Sequence, residues 1–305
     1  MKTINSIFTV LFFLTVFNDN VQAGDTAKSY KKSAQDILKA WDSAKKLNDL
    51  ESAKKDLVDL DATSDSVMQA FVSDKSKKGE KRSQVFKVLQ SHLPEGQRQK
   101  EIIQAFKTDK DTDFKVDLAQ QLGSFTDTGT LRVLQETIDN PSENGFVQVS
   151  AAHSLARRGD AGGKKRALQS ILNAESWADF GIQALVVLKA NDVFPILEEK
   201  MMNSQDSNQK GYCRLAKLRI QVGMAAPKEH FKLLSAALNE DGFPKAADWA
   251  AKRLAKMGGE DVSKLFVSVV KAGKWPNQEF AHDGLLFGIQ YGHWSQEDVT
   301  KWLAK

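Results

Sequence analysis

Small-residue breaks recur along most of this chain at nearly constant spacing: Gly123, Gly159, Ala190-Asn191, Gly223, Gly258 and Gly292 stand 31 to 36 residues apart. A fixed period of that length marks a repeat array, in which one supersecondary unit is copied and stacked. On either side of each break, apolar residues return every three or four positions, the period of a helix with one buried face. Phe146, Val149, Ala152 and Ala156 do so before Gly159, and Leu168, Ile171 and Leu172 after it. Ala247, Ala250, Ala251 and Leu254 precede Gly258, and Val262, Leu265, Phe266 and Val269 follow. Each unit therefore reads as a helix, a tight turn and a second helix, with the break glycine supplying the left-handed residue that ends the first helix.

Proline placement agrees with this division, since an interior proline costs a helix about 3 kcal/mol. Pro94, Pro141, Pro195, Pro227, Pro244 and Pro276 all fall between expected helices or in a first turn. Ala151, Ala152, Ala156, Ala247, Ala250 and Ala251 keep the first helix of a pair slender, so neighbours can approach closely. No pair can bury its apolar face alone, and the units must stack into one core. Hydrophobic residues at 41% suffice to fill it, and the single cysteine excludes an internal disulfide framework or a thiolate metal cluster.

The array is expected over residues 81–305. Before it, Tyr30, Ile37, Leu38, Trp41 and Leu47 outline one amphipathic helix, and Leu50–Leu60 with Val67–Val72 one or two more, out of phase with the repeat. Ser73 to Glu80 is a polar linker. Residues 24–80 are thus read as an N-terminal helical cap over the first apolar face, or as a separate arm. Residues 1–23 read as a signal peptide: Lys2, an uncharged apolar run of 11 residues from Ile7 to Phe17, and small residues up to Ala23. That run falls short of the roughly 20 residues a membrane span needs, so cleavage before Gly24 and a free periplasmic or secreted product are expected.

The stretch Val149-Ser150-Ala151-Ala152-His153-Ser154-Leu155-Ala156-Arg157-Arg158-Gly159-Asp160, with Ala167 to Leu172 after it, resembles a short HEAT repeat of the phycobilisome-lyase-like kind. The other units keep the period but not the Arg-Gly-Asp turn. The resemblance implies an all-α, right-handed α-solenoid of stacked antiparallel helix pairs, most often a surface for binding other macromolecules; together with the leader it is read as a bacterial exported protein. It does not select one function.

Hydrolase, metalloprotease and phosphate-loop signatures are absent from the sequence, and no two of the five histidines stand at metal-ligand spacing. His153 reads as a packing residue and Cys213 as a buried, inert thiol. Asp109, Asp111 and Asp113 alternate as in a calcium loop, but Phe114 replaces its glycine and Gln120 its closing glutamate, so they read as loop and helix-start residues. No cofactor and no metal are expected.

Charge is the most informative functional cue. Residues 24–107 carry 17 basic and 13 acidic side chains, residues 108–206 carry 10 and 15, and residues 207–305 carry 15 and 10. In the fifth unit Lys245, Trp249, Lys252, Arg253 and Lys256 share one side of a helix, and Lys210, Arg214 and Lys217 occupy similar positions in the fourth. Such a strip suits a carboxylate-rich protein partner, whereas the net charge of +4 disfavours nucleic acid. The expected function is a non-catalytic exported scaffold or adaptor. An enzyme or ligand chaperone of the lyase-like type, or an envelope-polysaccharide-binding protein, stands as the alternative.

Overall fold

Several helix starts are set by short polar side chains that accept otherwise unpaired backbone N–H groups. Asp111 accepts from Phe114, Asp127 from Thr130, Asn144 from Phe146, Asp160 from Gly163 and Asp206 from Asn208. The computed structural model describes residues 32–304, except the side chain of Leu47; the expected leader, its cleavage point before Gly24, and Tyr30 lie outside the described residues. These contain seventeen α-helices and no strand. They are α1 (Ala34–Ser43), α2 (Leu47–Val58), α3 (Asp65–Ser73), α4 (Gly79–Ser91), α5 (Glu95–Thr108), α6 (Thr112–Leu122), α7 (Thr128–Asp139), α8 (Gly145–Ala156) and α9 (Ala161–Leu172). There follow α10 (Ala178–Val187), α11 (Phe194–Asn203), α12 (Ser207–Met224), α13 (Pro227–Leu238), α14 (Pro244–Met257), α15 (Glu260–Ala272), α16 (Asn277–Gln290) and α17 (Gln296–Ala304).

Every expected break separates two of these helices or falls in the last turn of the first, and the prolines stand at helix starts or in turns. The glycines do not all work as expected. Gly159 and Gly292 do take the left-handed conformation (φ 77° and 74°), and the next N–H reaches back to close the helix end: Asp160 to the Leu155 carbonyl, His293 to Gly288. At the third break the same role falls to Lys189, with φ 49°. Gly123 stays right-handed (φ −57°); a Cβ there would lie 2.8 Å from Ser154 Oγ, so this glycine makes room for α8. Gly223 lies inside α12, one residue before its end.

The first helices α4, α6, α8, α10, α12, α14 and α16 pack side by side in series. Each second helix from α5 to α15 approaches the first helix of the following unit closely. In the unit carrying the HEAT-like motif, α9 also comes very near its own partner α8, because Gly163 meets it backbone to backbone: a Cβ there would stand 2.7 Å from Ala152 O. Three apolar clusters succeed one another, from Ile37 to Leu155, from Ala156 to Ile220, and from Leu218 to Val299. Ile171 is fully buried, while Leu172 at the end of α9 is only half-buried against the middle cluster.

Helices α1 to α3 share the first cluster with α4 to α8. Trp41 Nε1 donates to the Lys81 carbonyl at 3.1 Å, and Lys81 Nζ donates back to the Trp41 carbonyl at 2.8 Å. The expected linker is shorter than read: Gly79 and Glu80 already belong to α4, and Lys81 and Arg82 behind them are buried. Among the described residues no helix is long and apolar enough to cross a membrane.

Candidate interaction groove

Successive first helices leave a groove of about 700 Å³ where α8, α10, α12 and α14 come together. Its apolar surface comes from Phe146, Phe180, Tyr212 and Trp249, with the Phe146 and Phe180 rings edge to face at 4.7 Å. Arg219 and Arg253 place their guanidinium carbons 5.7 and 5.8 Å from the centre of the Trp249 ring. Lys245 Nζ lies 4.3 Å from the centre of Tyr212. Cations held over aromatic faces are attracted by the ring quadrupole and keep their charge available at the rim.

The carboxylates of the groove neutralise only part of this charge. Asp179 meets Arg219 at 3.4 Å, and Asp248 meets Lys252, one turn along α14, at 2.7 Å. Burial pulls the Arg219 guanidinium below the usual arginine value, against the opposing pull of Asp179. Burial and then Asp179 push the Tyr212 hydroxyl upward. Lys245, Arg253 and Lys256 have no carboxylate partner among the described residues.

The residues expected to form one basic strip fall in different places. Lys245, Trp249 and Lys252 line the groove, Arg253 flanks it through Trp249, and Lys256 lies exposed in the last turn of α14. Trp249 also packs against both the middle and the last apolar cluster. Arg214 and Lys217 line a separate cleft of about 610 Å³ between α11, α12, α13 and the turn before α14. There Arg214 is paired with Glu240 and Lys217 with Glu198, each at 2.5 Å, so their charge is already answered. Lys210 is half-buried near the start of α12 and lines neither cleft.

Arg219 and Tyr212, which complete the aromatic and cationic pairs, were not legible as site residues. In sequence Arg219 sits between Leu218 and Ile220, and nothing local says that Trp249, thirty positions on, will lie under it.

The remaining candidates for chemistry are subdued by their surroundings. Burial, reinforced by Arg157, pushes the His153 imidazole down to about 4, and burial pushes the Cys213 thiol up to about 11. Asp111 caps α6, and Asp109 is buried against Arg82. Among the described residues no group of three or more His, Cys, Asp or Glu side chains is placed to hold a metal ion.

No protein-family model, curated protein or solved structure matches this chain. The fold and groove define an all-α protein of serially packed helix pairs, compatible with a helical repeat array.

Proposed function

We propose that this protein is a non-catalytic, exported scaffold: a right-handed α-solenoid of HEAT type, capped by α1 to α3, that binds a carboxylate-bearing segment of another protein along the α8–α14 groove. The observation that carries this reading is the unneutralised charge of Lys245 beside Tyr212 and of Arg253 beside Trp249, with Lys256 exposed further along α14. Aromatic anchors and arginines at the centre of a contact supply most of the binding energy, and surrounding charge sets partner choice and association rate. An acidic peptide that also presents apolar side chains meets both requirements.

The test is capture from the envelope fraction of the native host, with wild type beside the Lys245→Glu/Arg253→Glu/Lys256→Glu variant. The expected result is an acidic protein retained by wild type, released as salt rises from about 50 to about 500 mM, and absent from the variant. Arg253 and Lys256 are exposed charges that contribute only about 0.2–1 kcal/mol each to folding, and half-buried Lys245 adds a contact with Tyr212 of about 0.5–2 kcal/mol, so the variant should stay folded and melt only a little lower than wild type. Equal capture by both would discard the groove as the contact.

A further inference from the structure

A second cleft, of about 580 Å³, lies toward the N-terminal end of the array, where the C-terminal turns of α4 and α6 meet α5. Gln90, Arg98, Gln121, Ser124, Ile102 and Phe125 line it, with others. Gln90 is only 3% exposed, and its Oε1 is buried without a hydrogen-bond partner. Gln121 Nε2, on the next first helix and in the same cleft, is likewise buried and unpaired. A buried amide group left unpaired costs about 1–3 kcal/mol, and folded proteins keep few of them. Two in one cleft therefore call for a common partner.

Of the remaining lining, Lys87, Ser91 and Glu95 are exposed, with Lys87 3.9 Å from Asp117, while the groups beside the two amides are fixed. Arg98 Nε donates to the Gln90 carbonyl at 3.0 Å and its Nη2 to the Leu93 carbonyl at 3.2 Å, which locks the guanidinium at the cleft wall. Ser124 Oγ donates to the Gln121 carbonyl at 2.7 Å and keeps its lone pairs free. Ile102 and Phe125 give the cleft an apolar side.

The chemistry of the missing partner follows from these groups. An acceptor, Gln90 Oε1, and a donor, Gln121 Nε2, must be satisfied together. Sulfate and carboxylate ions only accept, and an ammonium ion only donates, so each would leave one amide unpaired, while a hydrogen phosphate ion can do both but offers no C–H face to Phe125 and Ile102. A hydroxyl does both, and it answers an amide in either of its two flipped orientations. Neighbouring hydroxyls on a ring whose C–H face rests on Phe125 and Ile102 fill the polar and the apolar side at once. The volume lies within the roughly 300–1,000 Å³ typical of small-ligand sites. We propose that the cleft between α4, α5 and α6 binds a neutral sugar through the Gln90 and Gln121 amides, with Arg98 as a further donor.

The test uses saturation-transfer NMR on the purified protein, titrated with D-glucose, D-galactose, D-mannose or N-acetyl-D-glucosamine to about 20 mM, and with inorganic phosphate as the competing anion without an apolar face. At least one sugar should bind saturably, and phosphate should not displace it. Gln90→Leu and Gln121→Leu should each weaken sugar binding about tenfold or more, the worth of a single hydrogen bond of about 1.4 kcal/mol. Both should melt no lower than wild type, because leucine removes a polar atom that had no partner. Gln121 is only half-buried, so its variant keeps the test intact should Gln90→Leu fail to fold. The proposal falls if no sugar binds wild type, if both leucine variants bind as well as wild type, or if phosphate competes for the site.

Discussion

Between α3 and α6 the apolar interior of this protein also takes in long charged side chains, whereas from α6 to α10 backbones come close to touching. In the first region Arg82, 1% exposed, donates from Nε to the Val72 carbonyl at 2.7 Å, stacks 4.4 Å from the centre of Phe114, and pairs with Asp109. Asp109 also takes Lys75 Nζ at 2.5 Å and the Asp111 N–H at 2.9 Å. In the second region Ser150 and Ser154 of α8 donate to carbonyls of α6, those of Val116 and Ala119, at 3.0 and 2.8 Å. Gly163 and Gly181 leave no space for a Cβ: one added at Gly181 would stand 2.6 Å from Ala167 O. The same helix-pair plan is thus held together by reach in one place and by smallness in the other. Long side chains tie α3 to α6 across the intervening helix, while small ones let neighbouring helices approach without intermediaries. The two regions should therefore fail in different ways.

Removing one partner of the buried ion pair should have the largest effect. Arg82→Ala strands Asp109 without its buried counter-charge, at a cost of about 3–5 kcal/mol, measurable by chemical denaturation. Replacing both partners, as in Arg82→Leu/Asp109→Leu, should recover much of that loss, since no buried charge is then left alone. A double variant as unstable as the sum of its single variants would show that the two side chains act separately.

Acid should separate the regions next. His153 in α8 is held neutral, with its folded value near 4 against about 6.5 when unfolded, so the unfolded chain binds the extra proton. Stability should fall by about 3 kcal/mol as pH drops from about 6.5 to 4, and level out below that window. A His153→Gln variant should show no loss there. Asp109 acts lower: its carboxylate is held down to about 2, by Arg82, Lys75 and the Asp111 N–H against the upward push of burial. Its contribution of about 2 kcal/mol is present above pH 4 and disappears as pH falls from about 4 toward 2. Denaturation curves taken across pH would merge the two windows if the regions did not differ.

The smallest change with a visible cost is a single methyl group. Gly163→Ala should lose about 1–3 kcal/mol, because Ala152 O, Leu155 Cβ and Ala156 N surround the new carbon at 2.7 to 2.9 Å. Gly96→Ala, on an open face of α5, should instead stabilise slightly by improving helix propensity. A Gly163→Ala melt matching wild type would mean that α8 and α9 can slide apart freely.

What the sequence disclosed follows from what is local. The period, the prolines and the alanine faces act within one helix or turn, and they led directly to helix pairs. Asp111 read correctly as a helix-start residue because its partner, Phe114, is three positions away. The sequence starts the array at Lys81 without showing that Lys81 and Arg82 are buried, because their partners are remote: Trp41 is 40 residues before Lys81, and Asp109 is 27 after Arg82. Likewise, Arg214 and Lys217 looked like open charges until folding brought Glu240 and Glu198 beside them. A charge reveals itself as buried or paired only once distant elements meet.

Cys213 gives the middle of the array one more property. The chain has a single thiol, it is fully buried in α12 within the middle apolar cluster, and its proton is held to about pH 11. A soluble disulfide reagent can therefore modify the folded protein only through moments when α12 parts from its neighbours. The labelling rate, divided by that of the unfolded chain, counts how often those moments occur. An occupant that braces α8, α10, α12 and α14 would lengthen the wait, so one endogenous atom would report occupancy as a reaction time, with no probe attached to the groove.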